Sequence, residues 1–171
     1  MEHDTWTWSG FLTPRHRFDP PSGRFRVRYA ANRVDAAALE RFPARTITDA
    51  DGDIQLVCLL GSPAALHLTR QGNLDALTLD DRVSTGRLDD TDHGPLLATS
   101  QALSDAVYDW WETAPPPLVY RTRSMPSARS IAFTATTAWD AMTSRPLRQA
   151  SSLLTHLVIQ RDFTVPETWL R

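Results

Sequence analysis

The sequence predicts an α+β fold: one domain with a mixed, mostly antiparallel, split β-sheet core and short flanking helices. Three observations predict it. Residues 24–31, RFRVRYAA, alternate basic with apolar side chains, residues 54–60, IQLVCLL, form an unbroken apolar run, and residues 99–111, TSQALSDAVYDWW, repeat apolar positions at helical spacing. Strands and helices follow one another without a βαβ rhythm, which argues against a doubly wound sheet. At 171 residues the chain suits a single core, so 1–171 is read as one domain.

The first twenty-two residues carry two Trp, and the run PRHRFDPPSG has prolines that forbid a helix and favour extended or turning backbone. In the next segment Phe25, Val27 and Tyr29 alternate with Arg24, Arg26 and Arg28, as on a half-buried strand. Asn32 is placed to cap a short helix, VDAAALERF, that stops before Pro43. The run at 54–60 reads as a central strand buried on both faces. Residues 61–98 are rich in Gly, Asp and Thr and read as loops with short helical turns.

The segment 99–111 is the strongest helix, with Leu103, Ala106, Val107 and Trp110 on one face, Thr99 or Ser100 as its cap, and Pro115–Pro117 as its stop. LVYRTR (118–123), SIAFTA (130–135) and THLVIQRDF (155–163) read as strands that close the sheet.

Composition excludes several chemistries. All 18 basic residues are arginine and there is no lysine, so Schiff-base, Walker-type and lysine general-base mechanisms are ruled out. A phosphate held by a side-chain cation must be held by Arg, whose planar fork suits bidentate contacts. The net charge of −2 argues against a general polyanion binder. Cys58 is the only cysteine, which excludes an intrachain disulfide and fits a reducing compartment. No basic, then apolar leader and no membrane-length apolar run is present, so the expected location is the cytoplasm.

Other motifs fail on their own terms. The histidines His3, His16, His67, His93 and His156 have no metal-ligand spacing, and there is no HExxH, so no metal is expected. DADGDI, residues 49–54, lacks the ligand ladder of a calcium loop and reads as an acidic surface turn, as does the cluster Asp89, Asp90 and Asp92. No Gly-rich phosphate loop or GxSxG elbow occurs. Arg24, Arg26 and Arg28 read as a solvated strand face, or as a basic stripe for nucleic acid that lacks interleaved aromatics.

One constellation remains in residues 16–42. Arg17 sits on a Pro-flanked loop, Tyr29 on a strand and Glu40 on the helix that follows. Drawn to one cleft, they form a set for a dinucleotide: Arg for the pyrophosphate, an aromatic face for a base, a carboxylate for positive charge developing on a ribose. Each also has a plain structural reading: a surface Arg paired with Asp19, a core aromatic, a solvated helix position.

Arg17-Phe18, Tyr29-Ala30-Ala31 and Ala38-Leu39-Glu40 match in type and spacing the RES domain family, which the segment RFDPPSGRFRVRYAANRVDAAALE resembles. VYRTR (119–123) is similar to the family's Tyr-Arg-Ser-Arg strand, with Thr122 where the family has its Ser and Ser124 as a second candidate. The likeness runs from about residue 14 to 163.

The resemblance implies an ADP-ribosyltransferase-like fold and a toxin of a toxin–antitoxin pair that cleaves the nicotinamide–ribose bond of NAD⁺. Water or inorganic phosphate would be the acceptor, and NAD⁺ would be a substrate, with no bound cofactor or metal. It places Glu40, Arg17 and Tyr29 as catalytic residues and Thr122, Ser124, Arg28 and Arg123 as substrate-binding ones. The implied partner is an Xre-type antitoxin, through which alone nucleic acid would be met; Trp6 and Trp8 are candidates for its surface. Many family members carry an earlier Arg, which MEHDTWTWSG lacks; either another residue such as Arg15 supplies that contact, or this chain is a shortened or divergent member. The alternative is a catalytically degenerate RES-like domain that binds a nucleotide or a partner.

Overall fold

Alternation along residues 118–122 builds the centre of the fold. Leu118, Tyr120 and Thr122 are buried while Arg121 and Arg123 are exposed, so one face of the strand meets the core. The computed structural model describes residues 14, 16–80, 83, 93–111 and 114–171. The chain divides into two compact units, one built from the segment ending at Ala30 together with Pro63–Thr137, the other from Ala31–Ser62 and Ala138–Arg171.

In the first unit, strands β1 (Arg28–Ala31), β3 (Leu66–His67), β4 (Leu118–Arg121) and β5 (Arg129–Phe133) form a sheet in the order β1-β5-β4-β3. β4 and β5 are an antiparallel hairpin pairing Leu118 with Ala132, Tyr120 with Ser130 and Arg121 with Arg129. β3 runs parallel to β4, so the sheet is mixed as expected. Helices α2 (Gln71–Ala76) and α3 (His93–Trp111) belong to the same unit. Its core collects Phe18, Leu68, Leu74, Leu103, Val107, Leu118 and Tyr120. Burying each large aliphatic of this set stabilises by about 1.5–3 kcal/mol.

In the second unit, β2 (Gln55–Leu60) and β6 (Ala141–Pro146) form an antiparallel ribbon of six residue pairs. Helix α1 (Val34–Arg41) contacts α4 (Ser151–Arg161). The core here is Ile47, Leu147, Ala150, Leu153, Leu154, Leu157 and Phe163. A bridge between Thr46 and Thr164 ties the segment after α1 to the one after α4, with the Ile47 N–H donating to the Thr164 carbonyl at 2.9 Å.

The α+β class holds, and several local expectations change. The strand foreseen at 24–31 is hydrogen-bonded only over 28–31, although 24–27 keep the alternation of exposure. β2 is not buried on both faces: Gln55, Cys58 and Leu60 are exposed, because among the described residues it pairs with β6 alone, and Ile54 and Leu56 are what pack against the core. The segment 155–163 is not a strand: residues 155–161 are the larger part of α4, whose buried stripe Leu153, Leu154 and Leu157 has helical spacing and begins before the apparent β-branched run. β6 was not foreseen; AMTSRP has no apolar alternation to announce it.

The caps differ as well. Asn32 does not cap α1, whose N-cap is Arg33 with no side-chain cap bond. α3 starts at His93, so Ser100 is interior and its hydroxyl donates to the Leu96 carbonyl at 2.9 Å. Trp110 keeps phase with Leu103 but lies on the last turn, beyond the buried cluster, and is 56% exposed. The acidic turn is confirmed at 49–51, where Thr48 and Asp51 form a reciprocal capping box. Asp89, Asp90, Asp92, Arg15, Trp6 and Trp8 lie outside the described residues.

Candidate active site

The loop that carries Arg17 is tied down at both ends. Asp19 precedes two prolines, and its backbone N–H donates to the His16 carbonyl at 3.1 Å, closing a turn. One oxygen of the Asp19 carboxylate accepts the His16 N–H at 2.8 Å, and the other accepts the Tyr29 hydroxyl at 2.8 Å. The Tyr29 oxygen in turn accepts the Phe18 N–H at 3.0 Å. Gln101 on α3 donates to the His16 carbonyl at 3.0 Å.

This network defines what Tyr29 can do. Burial, then the charge and hydrogen bond of Asp19, push its phenol well above the ordinary range. Tyr29 is therefore a neutral hydroxyl clamped between two partners, not a proton shuttle near neutral pH. Its ring meets that of His16 edge-on, with centroids 5.7 Å apart. Phe18 is fully buried and tilts against Tyr120 at 4.9 Å. The guanidinium of Arg17 lies over the Tyr120 ring at 5.2 Å and the Phe18 ring at 5.8 Å. Such stacking orients the guanidinium plane.

The sheet sorts the other candidates by face. Tyr29 packs against the core, so Arg28 lies on the opposite face of β1, where partial burial lowers its pKa from the ordinary value. Thr122 shares the core face with Tyr120; it is 0% exposed, and its hydroxyl lies 2.9 Å from that of Ser130. Arg123 and Ser124 are exposed on the turn that follows. Arg17, Tyr29 and Thr122 are thus brought to one face of the sheet, and Arg28 is not.

Glu40 belongs to the second unit, on the exposed side of α1. That helix is anchored by a carboxylate with no counterpart among the sequence candidates. The Asp35 side chain is 3% exposed and accepts from Arg33 at 2.9 and 3.1 Å, from Arg161 on α4 at 2.7 and 3.1 Å, and from the Ala36 N–H at 3.0 Å. Hydrogen bonds from Arg33 outweigh its burial and, with those from Arg161, hold its pKa well below the carboxylate range.

Sequence reasoning named Asp19 only as a surface partner for Arg17 and passed over Tyr120, Ser130 and Asp35. Asp19 was legible as a short polar side chain at a Pro-flanked turn. Asp35 was not, because its partner Arg161 lies 126 residues away.

A shallow apolar pocket lies among Phe25, Val107, Pro115, Leu118 and Phe133. It is lined by no charged side chain and so offers nothing to a dinucleotide's phosphates. Among the described residues no cluster of three or more His, Cys, Asp or Glu could hold a metal ion, and no helix is long and apolar enough to cross a membrane.

With this geometry in place, the family comparison is direct: the RES domain model covers residues 2–156 of the 171. The chain belongs to the RES domain family. Neither the curated proteins nor the solved structures gave a match. Membership carries a toxin-type, NAD-related enzymatic function at the level of the family. Within this RES domain, the Arg and aromatic elements of the motif sit in the first unit and its Glu element in the second.

Proposed function

We propose that this RES domain is a cytoplasmic toxin that cleaves the nicotinamide–ribose bond of NAD⁺ and is neutralised by an Xre-type antitoxin. The family match over residues 2–156 is the observation that carries the reading. The preorganised loop around Arg17 supports it, because a guanidinium already oriented by aromatic stacking binds a pyrophosphate at less entropic cost.

The chemistry needs few groups. As the bond from the ribose C1′ to the pyridinium nitrogen breaks, its electron pair returns to the ring and nicotinamide departs neutral. Positive charge builds on the ribose, and Glu40 is assigned to stabilise it. An oxygen of water then bonds to C1′ and loses its proton to the Glu40 carboxylate, yielding ADP-ribose. With phosphate dianion as acceptor, the same bond forms without a proton to remove. Arg17 holds the pyrophosphate and Tyr29 keeps the Arg17 loop in place. Arg28, Arg123 and Ser124 are further contacts for the nucleotide.

Expression in a bacterial host tests the reading. The wild-type chain should arrest growth as cellular NAD⁺ falls, and Glu40→Ala should relieve both. Growth arrest with an undiminished NAD⁺ pool would overturn it.

A second reading is favoured by one observation. The hydroxyl at the family's Ser position is buried and engaged with Ser130, which suits a domain that binds a nucleotide without turning it over. Calorimetry that finds NAD⁺ binding by folded protein, with no nicotinamide formed, would select it.

A further inference from the structure

A β-turn is closed by one hydrogen bond, which the Asp19 N–H supplies by donating to the His16 carbonyl at 3.1 Å. The Arg17 loop carries more than that. Before Arg17, the His16 N–H donates to one oxygen of the Asp19 carboxylate, and Gln101 donates to the His16 carbonyl. After Arg17, the Phe18 N–H donates to the Tyr29 hydroxyl oxygen, whose O–H donates to the other oxygen of Asp19.

The two sides meet at Asp19. The residue is 6% exposed, and burying a carboxylate is costly unless it is hydrogen-bonded. Asn or Ser also suits a turn at this position, so closing the turn does not account for the charge. The hydrogen-bond directions do. Both side-chain bonds come from donors, and a carboxylate meets two donors with two acceptors, where an Asn would set its N–H₂ against one of them. From this fixed backbone the Arg17 guanidinium lies over the buried Tyr120 ring at 5.2 Å.

We infer that Asp19 is a positioning residue for Arg17: its carboxylate fixes the backbone on both sides and so holds the guanidinium over the Tyr120 ring. That Arg17 in this pose grips a pyrophosphate rests on the proposed cleavage of NAD⁺. That Asp19 holds Arg17 rests on the loop geometry alone. Holding the side chain in place lowers the ordering cost that a ligand would otherwise meet on binding.

Proton–nitrogen NMR of the full chain without NAD⁺ tests the hold. The Arg17 Nε–H signal, assigned by its disappearance in Arg17→Gln, should be displaced in the wild type by the ring current of Tyr120. Asp19→Asn should return it to the position of an unfolded-chain arginine. Asn73→Ala, which cuts a side-chain tie to the His67 carbonyl elsewhere in the same unit, should leave it in place. Tyr29→Phe reaches the same carboxylate from the other side and should also move the signal; it decides the matter if Asp19→Asn does not fold.

Steady-state kinetics with NAD⁺ separate positioning from mere stability. Asp19→Asn should raise KM by about two- to tenfold, the cost of ordering one freed arginine, and leave kcat unchanged. In an Arg17→Gln background the same substitution should add nothing, because the group it holds is gone. An Arg17 signal that stays displaced in Asp19→Asn, or a KM rise as large in the Arg17→Gln background, overturns the inference. A wild type that consumes no NAD⁺ refutes the cleavage reading, and the NMR result still decides for or against Asp19.

Discussion

Asp35→Asn probes the account of the second unit most sharply. The substitution keeps the shape of the side chain and removes the charge that two arginines share. At the wild-type site the carboxylate is almost fully buried and accepts five hydrogen bonds, four of them from guanidinium groups. Breaking a buried ion pair costs about 3–5 kcal/mol. Here Arg33 and Arg161 are 47% and 33% exposed, so both recover water once the charge is gone. Discounting for that exposure leaves about 2–3 kcal/mol. For a chain of this size the melting temperature should fall by about 4–12 °C at pH 7.

The pH dependence fixes the cause. Asp35 is held below its unfolded value, so its stabilisation is complete above pH ~4 and fades as pH falls toward its folded value. The gap between wild type and Asp35→Asn should therefore shrink on acidification below pH ~4. Circular dichroism melts of both proteins from neutral to acid pH supply the assay. A gap under about 1 °C at pH 7, or one that persists unchanged in acid, refutes the reasoning.

Other expectations follow from the same contacts. Tyr29→Phe removes the phenol's hydrogen bond to the buried Asp19 carboxylate and the acceptor of the Phe18 N–H, and should cost about 1–3 kcal/mol in urea unfolding. Absorbance titration of the wild type should show the Tyr29 phenol still protonated where ordinary tyrosines ionise, at about pH 10. Leu157→Ala, at a fully buried position of the second core, should lose about 2–5 kcal/mol by the same unfolding measurement. If Arg17 grips the pyrophosphate, steady-state kinetics of Arg17→Gln should show KM for NAD⁺ raised about tenfold or more. Arg17→Lys should not restore it, because an ammonium cannot reproduce the planar fork.

What could be read in advance divides along physical lines. The strand at Tyr29, the helix that carries Glu40 and the hairpin strands at Tyr120 and Ser130 were legible because local pattern and packing agree there. Residues 155–163 misled because Val158 and Ile159 favour strands locally, while the stripe that decides the helix includes Leu153 and Leu154 before the window. β2 misled because an apolar run does not say how many partners a strand will find; Leu60 ends exposed on a two-stranded ribbon. At the site, Arg17 and Tyr29 were legible as residue types at a spacing. That Asp19 would bind Tyr29 and that Arg17 would lie over Tyr120 depends on tertiary placement, which spacing does not encode.

The central claim of the proposed function is that Glu40 serves the cleavage of NAD⁺. Proton NMR of the purified protein with NAD⁺, with and without phosphate, follows free nicotinamide directly. The account predicts its release by the wild type and a loss of about 10²–10⁴-fold in rate for folded Glu40→Gln. NAD⁺ left intact by the wild type, or an unchanged rate in Glu40→Gln, contradicts it.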